Sequence, residues 1–521
     1  MVAPISFDQT NRSQNPRRTS VEAKFQELKN RLLEINDLNS AAALLTWDQT
    51  TYMPPGGAPA RGRQIATLGK LAHEKFTDPT IGKLLDELTS YEKSLLYDSD
   101  EASFLRVTRR DYEKAVKVPA AFIAELFSHA AKTYDIWTKA RPANDFTTVR
   151  PYLEKTLDLS RKYANFYPGY EHIADPLIDD SDEGMKASTV KKLFAQLREQ
   201  LVPIVKAITS QPAADDSCLK KNYPEAQQWP FGVEVIKRFG YDFSRGRQDK
   251  THHPYCIKFS LGDVRITTRF KENDLGEGLF STLHESGHAM YEQGICMDLE
   301  GTPLARGTSS GVHESQSRSW ENLVGRSRGF WEFFYPKLQQ TFPQQLRSVS
   351  LDTFYRAINK VERSLIRTDA DEVTYNLHVM MRFDFELQML EGKLAIKDLP
   401  EAWRERFKAD FGIAPPDDKD GCLQDVHWYG GVIGGVFQGY TLGNILSAQF
   451  FETAVKAHPE IKPQIKQGEF ATLYRWLKEN IYQHGRKYTA TELVQKVTGG
   501  PMSIEPYIRY LKTKYGELYK L

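Results

Sequence analysis

Two histidines four residues apart flank a glutamate in the run His284-Glu285-Ser286-Gly287-His288. On a helix this spacing stacks both imidazoles on one face, one turn apart. Both rings then reach one metal ion, while Glu285 addresses a water beside it. Consecutive turns of one helix diverge too far to supply a third ligand, which disfavours Glu292. A second element must provide it, and Glu314, in the first turn of a following helix, is the candidate, with His313 competing. The compact three-histidine zinc pattern needs Gly three residues and His six residues after His288, where Tyr291 and Gly294 stand. The spacing therefore favours two histidines plus a glutamate with a fourth position open to water.

An ion held by His284, His288 and Glu314 would activate water, with Glu285 as the proton acceptor and then the donor to a leaving amine. That chemistry is hydrolysis of an amide, most simply a peptide. A developing oxyanion needs a further donor, and His427, Tyr429 and Tyr440 are the candidates. An enzyme acting at a chain end must fix a free carboxylate, which suits a forked guanidinium; Arg367 is the candidate for that role, with Arg265 behind it. Zinc is the expected ion, and similar donor sets accept cobalt or manganese.

The elements that position these groups read as helices. Asp274 and Glu277 have the spacing of a capping box before the apolar positions Leu279, Phe280, Leu283 and Met290, and Gly294 is a stop. Ser309 or Ser310 caps a second helix from Val312 to Val324. Upstream, helical periodicity runs from Ser20 to about Asn39, and Pro54 to Gly57 forces a break. Trp47-Asp48 between them reads as a packed aromatic beside a cap. Further helices are expected at Lys83–Leu96, Glu101–Lys117, Ala120–Arg141, Asp145–Tyr163 and Val190–Ile208, with a kink at Pro203. The acidic stretch Asp175–Glu183 reads as a solvated connection, and residues 209–230 as a surface loop. His252–Ser260 and Val264–Phe270 alternate around Leu261-Gly262-Asp263, the pattern of a β-hairpin just before the histidine helix. Such a ribbon either pairs with an extended peptide or merely stabilises the fold. Helices are expected again at Leu351–Leu365 and Tyr375–Leu390.

Composition narrows the class. The 521 residues are 40% apolar and 12% aromatic, ample for a large core, and no Pro/Gly/Ser-rich linker divides them. With 69 basic and 68 acidic residues the net charge is +1, which argues for neither nucleic acid nor an anionic membrane as partner. Residues 1–19 are polar and read as a disordered tail without a secretory signal; residues 20–521 read as one catalytic domain. Trp428–Phe451 carries no charge but holds six glycines, Gln438, Asn444, Ser447 and Gln449, too polar for a membrane span. Four scattered cysteines fit a reducing, cytoplasmic setting.

From about residue 20 to the C-terminus the chain resembles the carboxypeptidase Taq family of zinc carboxypeptidases. The residues that carry this are the His284–His288 run, His313-Glu314-Ser315-Gln316, Asp263–Thr267, Ile366–Glu372 and Gly421–Trp428. Trp47-Asp48 with Met53-Pro54 and Gly56-Gly57 adds to it, as does His253-Pro254, followed here by Tyr255 where Phe is usual. The resemblance implies a mainly α fold of the neurolysin and angiotensin-converting-enzyme kind, with a deep cleft and a small antiparallel sheet beside the metal. It also implies a homodimer and release of single C-terminal residues with broad specificity that disfavours proline. Arg367 and His427 would lie in the substrate site, with His253, Arg265, Tyr429 and Tyr440 as further contacts. The tail, residues 1–19, falls outside the pattern. A metal-dependent endo-oligopeptidase or dipeptidyl carboxypeptidase on the same fold is the alternative. A peptide-binding protein without activity is a third reading, opposed by an intact Glu285, which a mere binder does not need.

Overall fold

The computed structural model describes residues 16–521, with side chains from Ser20 onward. The tail expected at residues 1–19 therefore lies mostly outside the described residues. Among the described residues are 22 α-helices and one three-stranded sheet, so the chain is mainly α.

The first helix, Pro16–Thr51, runs well past the expected end near Asn39. Ala41, Ala42, Ala43, Leu44 and Leu45 are good helix formers and nothing interrupts them before Pro54. Trp47 is buried in mid-helix, and Asp48 is not a cap; it pairs with Arg61 at 2.8 Å. Leu28, Leu32 and Ile35 bury one face of this helix in a small N-terminal core with Leu84, Leu88 and Phe104. A much larger core unites the rest of the chain around helix Leu275–Gly294, whose Leu283, Ala289, Met290 and Tyr291 are fully buried.

Strands β1 (Gln248–Lys250), β2 (Cys256–Ser260) and β3 (Asp263–Thr268) lie in the order β1-β3-β2. The hairpin forms, with Ile257 opposite Arg265, but β1 joins β3 in parallel, so the sheet is mixed rather than antiparallel. Gln248-Asp249-Lys250 is polar throughout and has no alternation to announce a strand. Thr268 on β3 donates its hydroxyl to Gly278 O at 3.3 Å and so ties the sheet to helix Leu275–Gly294.

Three other expectations change. Asp175–Ser181 is a helix, not a solvated connection, and Asp182 beyond it is 1% exposed. Residues 225–230 belong to helix Glu225–Phe239, which starts after Pro224 and carries Pro230 in its interior. Helix Leu351–Ile358 stops seven residues early, before an irregular segment that leads to Arg367. The uncharged stretch becomes the short helix His427–Gly430 and the buried helix Phe437–Ala457; no helix among the described residues is long and apolar enough to cross a membrane.

Candidate metal centre

Close helix packing creates the centre. Helix Ser310–Arg318 lies between helices Leu275–Gly294 and Phe437–Ala457, and a glycine opens each contact. A Cβ on Gly287 would stand 2.6 Å from Gln316 O, and one on Gly443 would fall on Glu314 Cγ. Glycine is needed at both places because backbone and ligand approach there. Asp274 caps the histidine helix by accepting from Gly276 N at 2.9 Å, but the capping box does not form: Glu277 pairs with Arg269 and Lys271 instead. Ser309 caps the second helix through Val312 N at 3.1 Å. Asp182 adds to that cap, accepting from Ser310 Oγ at 3.0 Å and Gly311 N at 2.9 Å.

His284 and His288 sit with ring centres 5.0 Å apart. Glu314 Oε2 is 3.6 Å from His284 Nε2 and 3.4 Å from His288 Nε2. One donor atom from each of the three lies within 4.8 Å of the others. The outer partners aim these lone pairs inward. His284 donates Nδ1–H to Glu321 Oε2 at 2.8 Å, which leaves Nε2 free to ligate. His313 donates Nε2–H to Glu292 Oε1 at 2.9 Å, so its Nδ1 accepts from His288 Nδ1 at 2.6 Å. His288 Nε2 is thereby also left with its lone pair facing Glu314. Lys258 anchors the far end of this chain on Glu292 at 2.6 Å. Two imidazole nitrogens and a carboxylate oxygen, each oriented from behind, fit a divalent cation.

Burial opposes ionisation of Glu314, but Arg318, at 2.7 Å from Oε1, and the two imidazoles outweigh it and hold the carboxyl well below its usual range. Glu321 is governed the same way and held down to about 2: burial opposes its charge, while Arg318, His284 and Arg326 overcome it. Glu285 stands apart. Burial pushes its carboxyl up to about 7; His284 opposes that rise, and Glu314 and Glu321 add to it. A carboxylate poised near neutrality suits a proton acceptor.

A second cluster gathers on Asp425. It accepts from Arg367 Nε at 2.5 Å and from Arg382 Nε at 3.0 Å, and from His427 Nδ1 at 2.5 Å. Burial works against the charge on Asp425, yet Arg382, His427 and Arg367 together hold it far below the ordinary carboxylate range. His427 Nε2 lies 3.2 Å from Tyr440 Oη, and Arg367 donates Nη1–H to Tyr375 Oη at 2.8 Å. Burial raises the Tyr440 phenol, which keeps it a donor at neutral pH. Tyr440 lines a cavity of about 520 Å³ together with His288 and Glu314, and through His427 it links that space to the Asp425 cluster.

The remaining sequence candidates have other partners. Arg265 is bidentate to Asp263, at 2.8 and 2.7 Å, and lies 4.4 Å above the Trp47 ring. His253 is exposed and donates Nδ1–H to Pro254 O at 2.8 Å. Tyr429 is fully buried, stacked on Trp137 at 5.7 Å with its hydroxyl donating to Cys422 O at 3.3 Å. None of the three is brought to the metal ligands. Sequence reasoning passed over Glu321, Arg318 and Asp425, and weighed His313 and Glu292 only as ligands, not as a chain with Lys258 behind His288. Only the first two left a signal, since Glu314, Arg318 and Glu321 recur at helical spacing.

The carboxypeptidase Taq (M32) metallopeptidase family model matches residues 27–515. Thermostable carboxypeptidase 1 of Thermus thermophilus is 42% identical over 510 residues, covering 96% of this chain and 99% of that protein. Carboxypeptidase 1 of Bacillus subtilis is 35% identical over 491 residues, covering 94% and 97%. The crystal structure of M32 carboxypeptidase from Deinococcus radiodurans superposes with a TM-score of 0.93 at 49% identity, covering 96% of this chain and all of that one.

Proposed function

This chain belongs to the carboxypeptidase Taq (M32) metallopeptidase family, and from that premise we propose that it removes single residues from the free C-termini of peptides, with broad specificity. One observation carries the reading: the His284, His288 and Glu314 donors converge within 4.8 Å, with Glu285 one residue beyond His284 on the same helix and Tyr440, the neighbour of His427, lining a cavity with His288 and Glu314. A divalent ion, zinc first and cobalt or manganese as substitutes, supplies Lewis acidity that lowers the pKa of water and polarises a carbonyl. His284, His288 and Glu314 would hold it.

Glu285 takes the proton of the attacking water and returns it to the leaving amine, a task its carboxyl, near 7, is matched to. Tyr440, with His427 behind it, donates to the developing oxyanion. Arg367 meets the substrate carboxylate. Its Nε, one Nη2–H and one Nη1–H are spent on Asp425 and Tyr375, leaving one N–H on each Nη for the ligand. Arg265 and His253 contact the peptide farther along a longer cleft of the neurolysin and angiotensin-converting-enzyme kind, and Tyr429, buried on Trp137, supports the wall behind it. The same reading takes residues 20–521 as one catalytic domain, acting as a homodimer in the cytoplasm, where four unbridged thiols stay reduced.

The test is a mass-spectrometric time course on one unstructured peptide with its C-terminus free or amidated, with and without a chelator. A chelator-sensitive ladder of single-residue losses from the free end alone is expected. Internal cuts or dipeptide steps would replace this reading with the endo-oligopeptidase or dipeptidyl carboxypeptidase. Arg367→Ala should lose more on the free than on the amidated peptide; equal losses remove Arg367 from the carboxylate role.

A further inference from the structure

The cavity that holds His288, Glu314 and Tyr440 is walled on its far side by the segment Arg306–Ser310. Three arginines face it. Arg110 is paired with Asp179 at 3.0 Å and Glu183 at 3.1 Å. Arg486 is bidentate to Asp111 at 2.6 and 2.8 Å. Arg306 is different: its side chain is exposed, and among the described residues its guanidinium has neither a hydrogen-bond nor an ion-pair partner. The acids nearby are already committed. Asp179 and Asp180 are taken by Lys114, and Glu292 by Lys258 and His313. Desolvation and the neighbouring Arg486 disfavour the Arg306 charge, and Asp111 and Glu292 only partly offset this.

The backbone beneath Arg306 is fixed to the histidine helix. Arg306 N donates to Leu304 O at 2.8 Å, Gly307 N to Glu292 Oε1 at 3.0 Å and Thr308 N to Tyr291 Oη at 3.2 Å. Arg306 also lines a second cavity, of about 470 Å³, walled by Ile35, Asn36 and Asn39 of the first helix together with Thr302. It thus lines both the space at the metal ligands and the second cavity, and stands between them.

We propose that Arg306 is a specificity-determining residue that recruits an acidic side chain of the peptide, so that the enzyme favours substrates bearing Asp or Glu near the scissile bond. The inference rests on the peptidase reading above. A carboxylate there supplies the counter-ion that the protein withholds and forms charge-assisted bonds to a planar fork. A neutral amide of the same shape gains only ordinary hydrogen bonds.

The test uses peptides that differ only by Glu or Gln at each of the last four positions, all with free C-termini. Affinity is measured on the metal-loaded Glu285→Gln background, with Arg306 intact or replaced by Ala or Glu, and turnover is measured in parallel on the parent enzyme. One position should favour Glu over Gln by about tenfold, the effect of one charge-assisted bond. The ratio should fall to near unity in Arg306→Ala and reverse in Arg306→Glu. Equal affinities for Glu and Gln at every position, or a preference that survives Arg306→Ala, overturn the proposal. So does an equal loss of affinity in Arg306→Ala for the Glu and Gln peptides at every position, which would make Arg306 an anchor for the α-carboxylate they share. Absence of turnover in the parent enzyme would refute the peptidase reading alone, because the affinity ratios judge Arg306 independently.

Discussion

Glu321 does no chemistry of its own, and replacing it should nevertheless weaken metal binding. Its Oε2 accepts Nδ1–H of His284 at 2.8 Å and Nη1–H of Arg318 at 3.2 Å, and its Oε1 accepts from Arg326 at 3.3 Å. In Glu321→Ala, His284 loses the partner that selects its tautomer, and Arg318 turns its charge more fully on Glu314. Outer partners of this kind are worth roughly ten- to a hundredfold in metal affinity, or about 1.4–2.7 kcal/mol. Glu321→Gln keeps an acceptor for His284 but not the charge, so its loss should sit near the lower bound. Stripped protein titrated with zinc against a chelating dye at pH 7.5 reads this directly, with circular dichroism to verify the fold. An affinity for Glu321→Ala within twofold of the parent would refute the orienting role.

Three further outcomes are expected. Glu285→Gln should retain zinc affinity within threefold but lose about 10²–10⁴ in kcat, because the attacking water loses its proton acceptor; near-normal turnover would end the mechanism. Gly287→Ala should lower stability by about 1–3 kcal/mol and weaken the metal site, because the new Cβ meets backbone at 2.6 Å and must push helix Ser310–Arg318 away; an unchanged melting temperature with normal zinc binding would contradict the packing argument. Glu386 is buried with one oxygen accepting from Trp428 Nε1 at 2.8 Å and the other unpartnered among the described residues, and burial raises its carboxyl to about 8. Between the unfolded value of 4.5 and about 8 the folded chain holds a proton that the unfolded chain has lost, so this group makes stability fall as pH rises through that window. Glu386→Gln should therefore melt increasingly above the parent from pH 5 to pH 8, and parallel melting curves would show that Glu386 is ionised in the fold.

Much of the secondary structure was legible because helical periodicity is local: Tyr375–Leu390 and Ala120–Ala140 follow from apolar spacing and flanking breakers. The misreadings share a cause. Asp175–Glu183 looks solvated because its charge is high, yet Arg110 and Lys114, more than sixty residues earlier, pair with Asp179 and permit its partial burial. Residues 225–230 look like loop because they are mostly polar and flanked by Pro224 and Pro230, yet the helix starts right after Pro224 and continues through Pro230. The polar strand β1 has no pattern of its own and exists because β3 offers it an edge.

The sequence alone pointed to the proposed donor set: His284 and His288 share one helical face with Glu285 one residue along, and Glu314 opens a capped helix, since both inferences need only a 3.6-residue turn. Tertiary structure decided which groups stand behind those donors. His313 proved to accept from His288 rather than face the Glu314 carboxylate, and Arg367 was joined to Asp425, 58 residues away. It also separated Tyr440, which borders the metal cavity, from Tyr429, which packs on Trp137. Such choices depend on how helices cross, and crossing is set by contacts such as Gly287 against Gln316 and Gly443 against Glu314. No local periodicity encodes a contact between segments so far apart in the chain.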